Sequence, residues 1–525
     1  MSNIGDYIMF LYQQERRSIS MKKLAEKYHA GQFRKGADKQ PYIVHPQAVA
    51  KMLIRWGKAP DSAAVQSAWG HDLLEDTAVS ENEIAAVGGE TVLNNIRMLS
   101  CPPQLTKAEY LKRLAEYGSG DLLLVKVADR ICNSKDFVKL KGTLYAYQYL
   151  HEADCLPTAL EKFSDDTTVK NALQEWEMLD EQLRNEAKRA AIRGCMLGGA
   201  VGDALGAPIE FMKISDIQKA YGSSGVTDYV EFPDGTGAIT DDTQMALFTA
   251  EGIMRAFVRG CEKGICNPTS VVWYSYLRWL ETQGYSPDIA REIIYSGWLI
   301  NEKRLFSCRA PGMTCLSALE PKRHPAVNNS KGCGTVMRIA PAGLFYPTEY
   351  AYKNGCEFSA ITHRHPTGIT AGGALAMLVA YLLDGKPLNT ALDLTEKYLL
   401  DIPEAAETLA AIRQARCAET ITELGEGWVA EETLAISIFC ALKHTWDFRA
   451  GVLEAVNING DSDSTGAVTG NILGILNGEN AIPGSWRTRL REYDIVSQVA
   501  DDLADIAPES DGHFSSYWWD KYPGF

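Results

Sequence analysis

Two short acidic clusters, more than two hundred residues apart, constrain this chain most: Thr240-Asp241-Asp242-Thr243 and Gly460-Asp461-Ser462-Asp463-Ser464-Thr465-Gly466. Each reads as a loop feeding a helix, since Thr240 precedes the apolar run Met245-Ala246-Leu247-Phe248 and Gly466 precedes Ala467-Val468-Thr469-Gly470-Asn471-Ile472-Leu473. Helix starts hold carboxylates rigidly and offer backbone N–H groups to an anion. Taken alone, either cluster is an ordinary N-cap. Together, four carboxylates with adjacent hydroxyls suit a pair of hard divalent cations, and oxygen-only ligands select magnesium or manganese over zinc.

At 525 residues the chain is too long for one ordinary core, so two or more domains are expected. A composition of 46% hydrophobic and 23% charged residues is that of a soluble globular protein. The net charge of −15 argues against a chain whose main task is gripping a nucleic-acid backbone. Twelve cysteines without a CxxC pair point to reduced thiols in a cytoplasm rather than to structural zinc or a disulfide frame. The start, Met1-Ser2-Asn3-Ile4-Gly5-Asp6 and then Glu15-Arg16-Arg17, has no long apolar core, so neither signal peptide nor membrane span is expected.

From Tyr7 to about Glu161, apolar residues recur at three- and four-residue spacing, which predicts a helical first domain over residues 1–161. Residues 162–189 read as a polar turn, Phe163-Ser164-Asp165-Asp166-Thr167-Thr168, followed by a helical connector that runs into Lys188-Arg189-Ala190-Ala191. From 190 to 525 glycine rises and small-residue helices alternate with loops. Ala371-Gly372-Gly373-Ala374-Leu375-Ala376-Met377-Leu378-Val379-Ala380 is apolar nearly all round and too rich in glycine for a convincing membrane span; it predicts a buried helix of a compact all-α core.

In the first domain the informative residues are His45 before Pro46, the doublet His71-Asp72, and Asp129 in Val125-Lys126-Val127-Ala128-Asp129-Arg130. Two imidazoles and two carboxylates can hold one divalent transition metal and leave sites for water and a substrate phosphate. Glu75 and Asp76 follow one turn beyond Asp72, on the same helical face, where they could activate a water. With His29, Gly31-Gln32-Phe33-Arg34-Lys35, Pro41-Tyr42-Ile43-Val44-His45-Pro46, Glu75-Asp76-Thr77 and Ala128-Asp129-Arg130 plus Asn133, residues 20 to 155 resemble the HD-type hydrolase domain of the RelA/SpoT alarmone enzymes. The resemblance implies His45, His71, Asp72 and Asp129 as ligands of one Mn2+, and Glu75 and Asp76 as the groups that orient or deprotonate water. It further implies Arg34 and Lys35 beside the nucleotide and Asn133 at its ribose or phosphate. Such domains remove the 3′-pyrophosphate of guanosine tetra- and pentaphosphate. This chain has its own loop, Gly36-Ala37-Asp38-Lys39-Gln40, its own approach to the doublet, Trp69-Gly70, and Cys132 where the family often has an aromatic or His; base preference, guanosine or adenosine, stays open.

From about Ala190 to the end the chain is similar to the ADP-ribosylglycohydrolase family. The likeness rests on Gly199-Ala200-Val201-Gly202-Asp203-Ala204-Leu205-Gly206 with Pro208 and Glu210, both acidic clusters, Gly332-Cys333-Gly334-Thr335-Val336-Met337-Arg338, Thr362-His363, and Gly427-Trp428-Val429-Ala430-Glu431-Glu432. It implies a compact all-α domain with two Mg2+ ions held by Thr240, Asp241, Asp242, Asp461, Asp463 and Ser464. Glu210 becomes the acidic residue near the substrate, Gly332 and Gly334 let backbone amides approach a pyrophosphate, and Asp203 and His363 shape the ribose pocket.

The expectation is therefore a cytoplasmic, all-α, bifunctional metallohydrolase. One domain would act on a guanosine or adenosine polyphosphate. The other would release ADP-ribose from a protein, nucleic acid or metabolite, as an eraser that counters a toxin. The alternative is an immunity or regulatory protein that neutralises its partner by binding and occlusion.

Overall fold

The computed structural model describes residues 20–35, 39–231, 235–287, 289–320, 326–508, 510 and 512–524. The N-terminal segment read above, up to residue 19, and Gly36-Ala37-Asp38 of the loop before Pro41 lie outside them. The regular elements are all helices, and the β-structure among the described residues amounts to two isolated bridges, Phe33 with Pro41 and Gly332 with Val429. The chain divides into two compact units, Met1–Ala187 and Lys188–Phe525, and the division falls inside the 40-residue helix Thr167–Gly206.

In the first unit the helices Val44–Trp56, Ala63–Gly70 and Gly120–Lys141 pack on one another around Val49, Leu53, Ala64, Ala68, Leu124, Val127 and Ala128. Side-chain caps start two of them: Ser62 accepts from the Val65 N–H and Ser119 from the Leu122 N–H. Gly70 explains the departure at Trp69-Gly70. A Cβ there would stand 2.6 Å from Ile96 Cδ1 and 2.7 Å from Met21 Cε, so a larger residue would have to push these two side-chain ends aside at the start of the His71-Asp72 doublet.

The second unit is built round the helix Pro366–Leu383, which is long and apolar enough to cross a membrane yet is 78% buried against helices such as Thr348–Ser359 and Ala430–Lys443. Its site depends on another pairing. Gly194, Gly198, Gly202 and Gly206 recur every four residues on one face of Thr167–Gly206. They meet Gly474, Gly470, Gly466 and Ser462 of the helix Ser462–Asn477, so closely that a Cβ on Gly202 would lie 2.0 Å from the Gly466 carbonyl oxygen. Backbone against backbone, this contact sets Asp203 beside Asp463.

One helix start differs from the sequence expectation. The helix begins at Ser462 rather than after Gly466, with Asp461 as N-cap accepting from the Ser464 N–H. Gly466 is no breaker here because its missing side chain is what admits Gly202. Asp463 and Ser464 thus belong to the first helical turn. The other cluster behaves as read: Thr240 caps the helix Asp241–Lys263, its hydroxyl accepting from the Asp242 N–H.

Candidate metal centres

In the first unit, His45 comes from the first turn of Val44–Trp56, His71 and Asp72 from the corner after Ala63–Gly70, and Asp129 from the middle of Gly120–Lys141. The four side chains converge. His45 Nε2 is 3.0 Å from Asp129 Oδ1 and 3.3 Å from His71 Nε2, and His71 Nε2 is 3.1 Å from Asp72 Oδ2. His45, His71 and Asp129 are buried. The Ala68 carbonyl lies 2.8 Å from His71 Nδ1, and a proton held there leaves the Nε2 lone pair facing the cluster. Burial lowers the His71 pKa, but the Asp72 and Asp129 carboxylates outweigh it and bring it up to about 10. The protein alone must therefore place a proton where two carboxylates meet two imidazoles. A divalent cation can take that proton's place on the same donors with one more positive charge, so the residues fit one transition metal.

A supporting shell surrounds this group. The Tyr42 hydroxyl reaches Asp72 Oδ2 at 2.8 Å and Asp76 Oδ2 at 2.7 Å, and His29 stacks on its ring with centroids 4.7 Å apart. Asn133 donates to Asp129 Oδ1 at 2.7 Å and accepts from Arg34, which also pairs with Asp136 at 2.6 Å. Arg34, His45, Lys51, Arg55, Cys132 and Lys135 line a cavity of about 380 Å³ beside the ligands. Lys35 is exposed, and Glu75 is turned to accept from the Cys101 N–H, away from Asp76. Sequence reading gave no role to Tyr42 or to Lys126, whose Nζ lies 3.0 Å from Asp129 Oδ2. Their signals were a hydroxyl inside the motif and a lysine three residues before a ligand.

The second centre contains only oxygens. Asp241, Asp242, Asp461, Asp463 and Ser464 are each buried, and oxygens of Glu210, Asp461 and Asp463 lie within 4.8 Å of one another. Among the described residues no lysine or arginine pairs with these carboxylates, and Asp242 Oδ2 is buried without a partner. Burial first, and then Asp463, raise Asp241, Asp242 and Asp461 well above the usual carboxylate range. Burial and the surrounding aspartates push Glu210 up to about 10. Such a cluster is stable only when protonated or filled by cations, and hard oxygens suit hard cations.

Asp203 works behind the centre. Its carboxylate accepts from the Thr240 N–H and hydroxyl at 3.0 and 2.8 Å and from the Thr243 N–H and hydroxyl at 3.2 and 2.5 Å. It therefore fixes the start of Asp241–Lys263. Because Thr240 Oγ1 donates to Asp203 and accepts from Asp242, one lone pair remains for a cation. Gly332 and Gly334 lie against His363: a Cβ on Gly334 would stand 2.9 Å from its Cε1. Sequence reading did not single out Phe211, and it named Trp428 in a motif without giving it a role. Their rings stack at 5.3 Å between centroids, next in sequence to Glu210 and over Gly460.

Residues 184–512 match the ADP-ribosylglycohydrolase family, more than half of the chain. The chain belongs to the ADP-ribosylglycohydrolase family. Members of this family are metal-dependent, as the all-oxygen centre requires. An uncharacterized protein of Archaeoglobus fulgidus is 29% identical over 330 residues, covering 60% of this chain and 96% of that one. The ADP-ribosylarginine hydrolase Tri1 of Serratia proteamaculans is 25% identical over 324 residues, 61% of this chain and 80% of its own length. A different relative, the guanosine-3′,5′-bis(diphosphate) 3′-pyrophosphohydrolase MESH1 of Xenopus tropicalis, is 36% identical over 132 residues, 24% of this chain and 73% of its own. Like these named relatives, this ADP-ribosylglycohydrolase family member is a hydrolase.

Proposed function

We propose that the unit Lys188–Phe525 hydrolyses the bond between ADP-ribose and a modified acceptor with two Mg2+ ions. The unit Met1–Ala187 removes the 3′-pyrophosphate of a guanosine or adenosine polyphosphate with one Mn2+. The observation that carries the first reading is the buried set Asp241, Asp242, Asp461 and Asp463, which no basic side chain neutralises among the described residues. The similarity to a guanosine polyphosphate hydrolase and the group His45, His71 and Asp72, with Asp129 3.0 Å from His45, support the second.

Cutting a ribosyl bond passes through a cationic, oxocarbenium-like sugar. Thr240, Asp241, Asp242, Asp461, Asp463 and Ser464 would hold the cations, and Asp203 keeps the first three in register through Thr240 and Thr243. Bound there, the cations supply positive charge that orients the ribose hydroxyls and favours ionised water. Glu210, beside Asp461 and Asp463, manages the proton between water and leaving group. In the first unit His45, His71, Asp72 and Asp129 would hold the single cation, Asp76 faces it through Tyr42, and Arg34 with Asn133 positions the nucleotide. Both reactions erase a mark made from a purine nucleotide, the chemistry of a cytoplasmic eraser that counters a nucleotide-transferring toxin.

The test is mass spectrometry of products from the full chain with Mn2+ and Mg2+ and a mixture of ppGpp, ppApp and ADP-ribosylated arginine, serine and DNA. Pyrophosphate lost only in Asp72→Ala, and free ADP-ribose lost only in Asp461→Ala, are the expected results. Silence at both sites with metal bound would leave the occluding binder as the better account.

A further inference from the structure

Two cavities of the first unit meet at the side chains of Arg55 and Lys135. The smaller, about 380 Å³, follows one face of the helix Val44–Trp56 from His45 past Ala48, Lys51 and Met52 to Arg55. Its cations are Arg34, Lys51, Arg55 and Lys135, and the carboxylate on its wall, Asp136, is paired with Arg34. The larger, about 570 Å³, is lined by Trp56 and by Asn171, Gln174, Glu175, Met178 and Gln182. Where the two meet, Glu175 accepts from three donors: Lys135 Nζ at 2.9 Å, Trp56 Nε1 at 2.8 Å, and Arg55. Burial by itself would raise the Glu175 pKa, but these donors hold it below the usual carboxylate range, so the group is ionised. Docking this stretch of helix does not need that carboxylate. Val169, Ala172, Trp176, Leu179 and Leu183 are buried in one core with Leu53 and Trp56, and Asn171 Nδ2 donates to the Trp56 carbonyl at 2.9 Å. Arg55 and Lys135 keep 61% and 47% of their side chains exposed, so a ligand can reach both.

We propose that Arg55, Lys135 and the Trp56 indole N–H form a phosphate site of the first unit, and that Glu175 is a tethered competitor that fills it until a phosphate group takes its place. Donor chemistry selects phosphate. A guanidinium fork, an ammonium and an indole N–H offer donors alone, and a tetrahedral anion with several oxygens can use them all, where a carboxylate has two. Charge selects it as well. In a chain of net charge −15, four cations gather on one cavity wall, and after Asp136 and Glu175 a positive surplus is left there. A site held by its own carboxylate about nine-tenths of the time binds about tenfold more weakly than the free site, so Glu175 sets the phosphate concentration at which the site fills. The metal ligands take no part in it, so the inference concerns binding alone and is independent of the hydrolase reading. The phosphate group comes as a free anion or on a nucleotide whose nucleoside lies in the larger cavity, where Gln174 and Gln182 offer amides and Met178 an apolar face.

The experiment titrates the full-length protein with inorganic pyrophosphate and with GDP, in EDTA so that no cation carries the anion. It reads the dissociation constant by calorimetry and the Trp56 indole N–H by NMR, the signal being assigned from its loss in Trp56→Phe. In wild type the Trp56 signal should move as pyrophosphate displaces the Glu175 carboxylate, and the movement should vanish in the double variant Arg55→Ala, Lys135→Ala. Glu175→Gln should bind pyrophosphate about tenfold more tightly than wild type. Glu177→Gln, which removes the same charge from an exposed position two residues on, should bind as wild type does. GDP binding more tightly than pyrophosphate supports the site with a nucleotide as the source of the phosphate, and equal binding supports it with a free anion. Affinity in Glu175→Gln equal to or below wild type would overturn the inference and leave Glu175 a strut of the helix, and equal tightening in Glu177→Gln would overturn it as a general charge effect. Should Glu175→Gln fail to fold, the wild-type titration decides: a Trp56 signal that stays in place, or that moves equally in the double variant, overturns the site.

Discussion

Arg338 is fully buried and donates to the Thr362 hydroxyl at 2.6 Å, and that hydroxyl lies 2.8 Å from His363 Nδ1. Burial, with the guanidinium added to it, lowers His363 to about 3, so the ring is neutral at every working pH. An unfolded histidine titrates near 6.5, and below that the unfolded chain binds the extra proton. The contribution of His363 to stability is thus complete above pH 6.5 and is lost as pH falls toward 3, at about 1.4 kcal/mol per pH unit. Urea midpoints of wild type should drop between pH 6.5 and 4.5 more steeply than those of His363→Gln; parallel slopes would show that the ring is charged in the folded state. Tyr42 has a similar single-residue consequence. Its one hydroxyl serves Asp72 and Asp76, so Tyr42→Phe should weaken Mn2+ binding by calorimetry about 10-fold or more while the Mg2+ response is kept.

Among the elements, the pairing of Thr167–Gly206 with Ser462–Asn477 governs whether the second centre exists. A Cβ on Gly470 would stand 2.0 Å from the Gly198 carbonyl oxygen, backbone that cannot rotate aside. Gly470→Ala should therefore cost about 1–3 kcal/mol or more in denaturant unfolding and reduce ADP-ribose release, because the separated helices carry Asp203 away from Asp461 and Asp463. Gly484→Ala, where a Cβ meets nothing, is the control and should change stability by less than about 1 kcal/mol. The same pairing marks the limit of sequence reading. Helical periodicity was enough to read an all-α chain, the buried helix Pro366–Leu383 and the helix start after Thr240, but not the start at Ser462 with its cap Asp461. It did not tell that the glycines of two segments face one another, because register between distant helices is set by shape, not by period. For the same reason Asp203 read as a ribose neighbour, although its carboxylate is taken up by Thr240 and Thr243. Glu75, one residue from Asp76, likewise turns to the Cys101 backbone where spacing alone put both on one face.

Across the whole molecule, a chain of net charge −15 holds two centres that answer the problem of buried carboxylates differently. The first unit has imidazoles among its acids and can take up a proton; the second has acids alone and depends on cations. Carboxylates whose folded pKa lies above the unfolded value near 3.8 make the folded state bind more protons, so without metal the stability of Lys188–Phe525 should fall as pH rises above about 4. If Mg2+ fills the site as proposed, it should reverse this, contributing about 2.7 kcal/mol at a hundred times its dissociation constant. Asp242→Asn separates the terms, since Asp242 Oδ2 is buried and unpartnered and amidation removes one charge with little change in shape. In EDTA at pH 8 the variant should unfold at higher temperature than wild type, and in saturating Mg2+ at lower temperature. The crossing is specific to a cation site, because an ordinary buried carboxylate that accepts hydrogen bonds would leave the variant weaker in both conditions. Asp72→Ala should keep this crossing while losing stabilisation by Mn2+, since its charge belongs to the group of His45, His71 and Asp129. Calorimetric scans of the four combinations of variant and metal decide it, and a wild type that outlasts Asp242→Asn in EDTA would mean that the acidic cluster is satisfied by the protein itself.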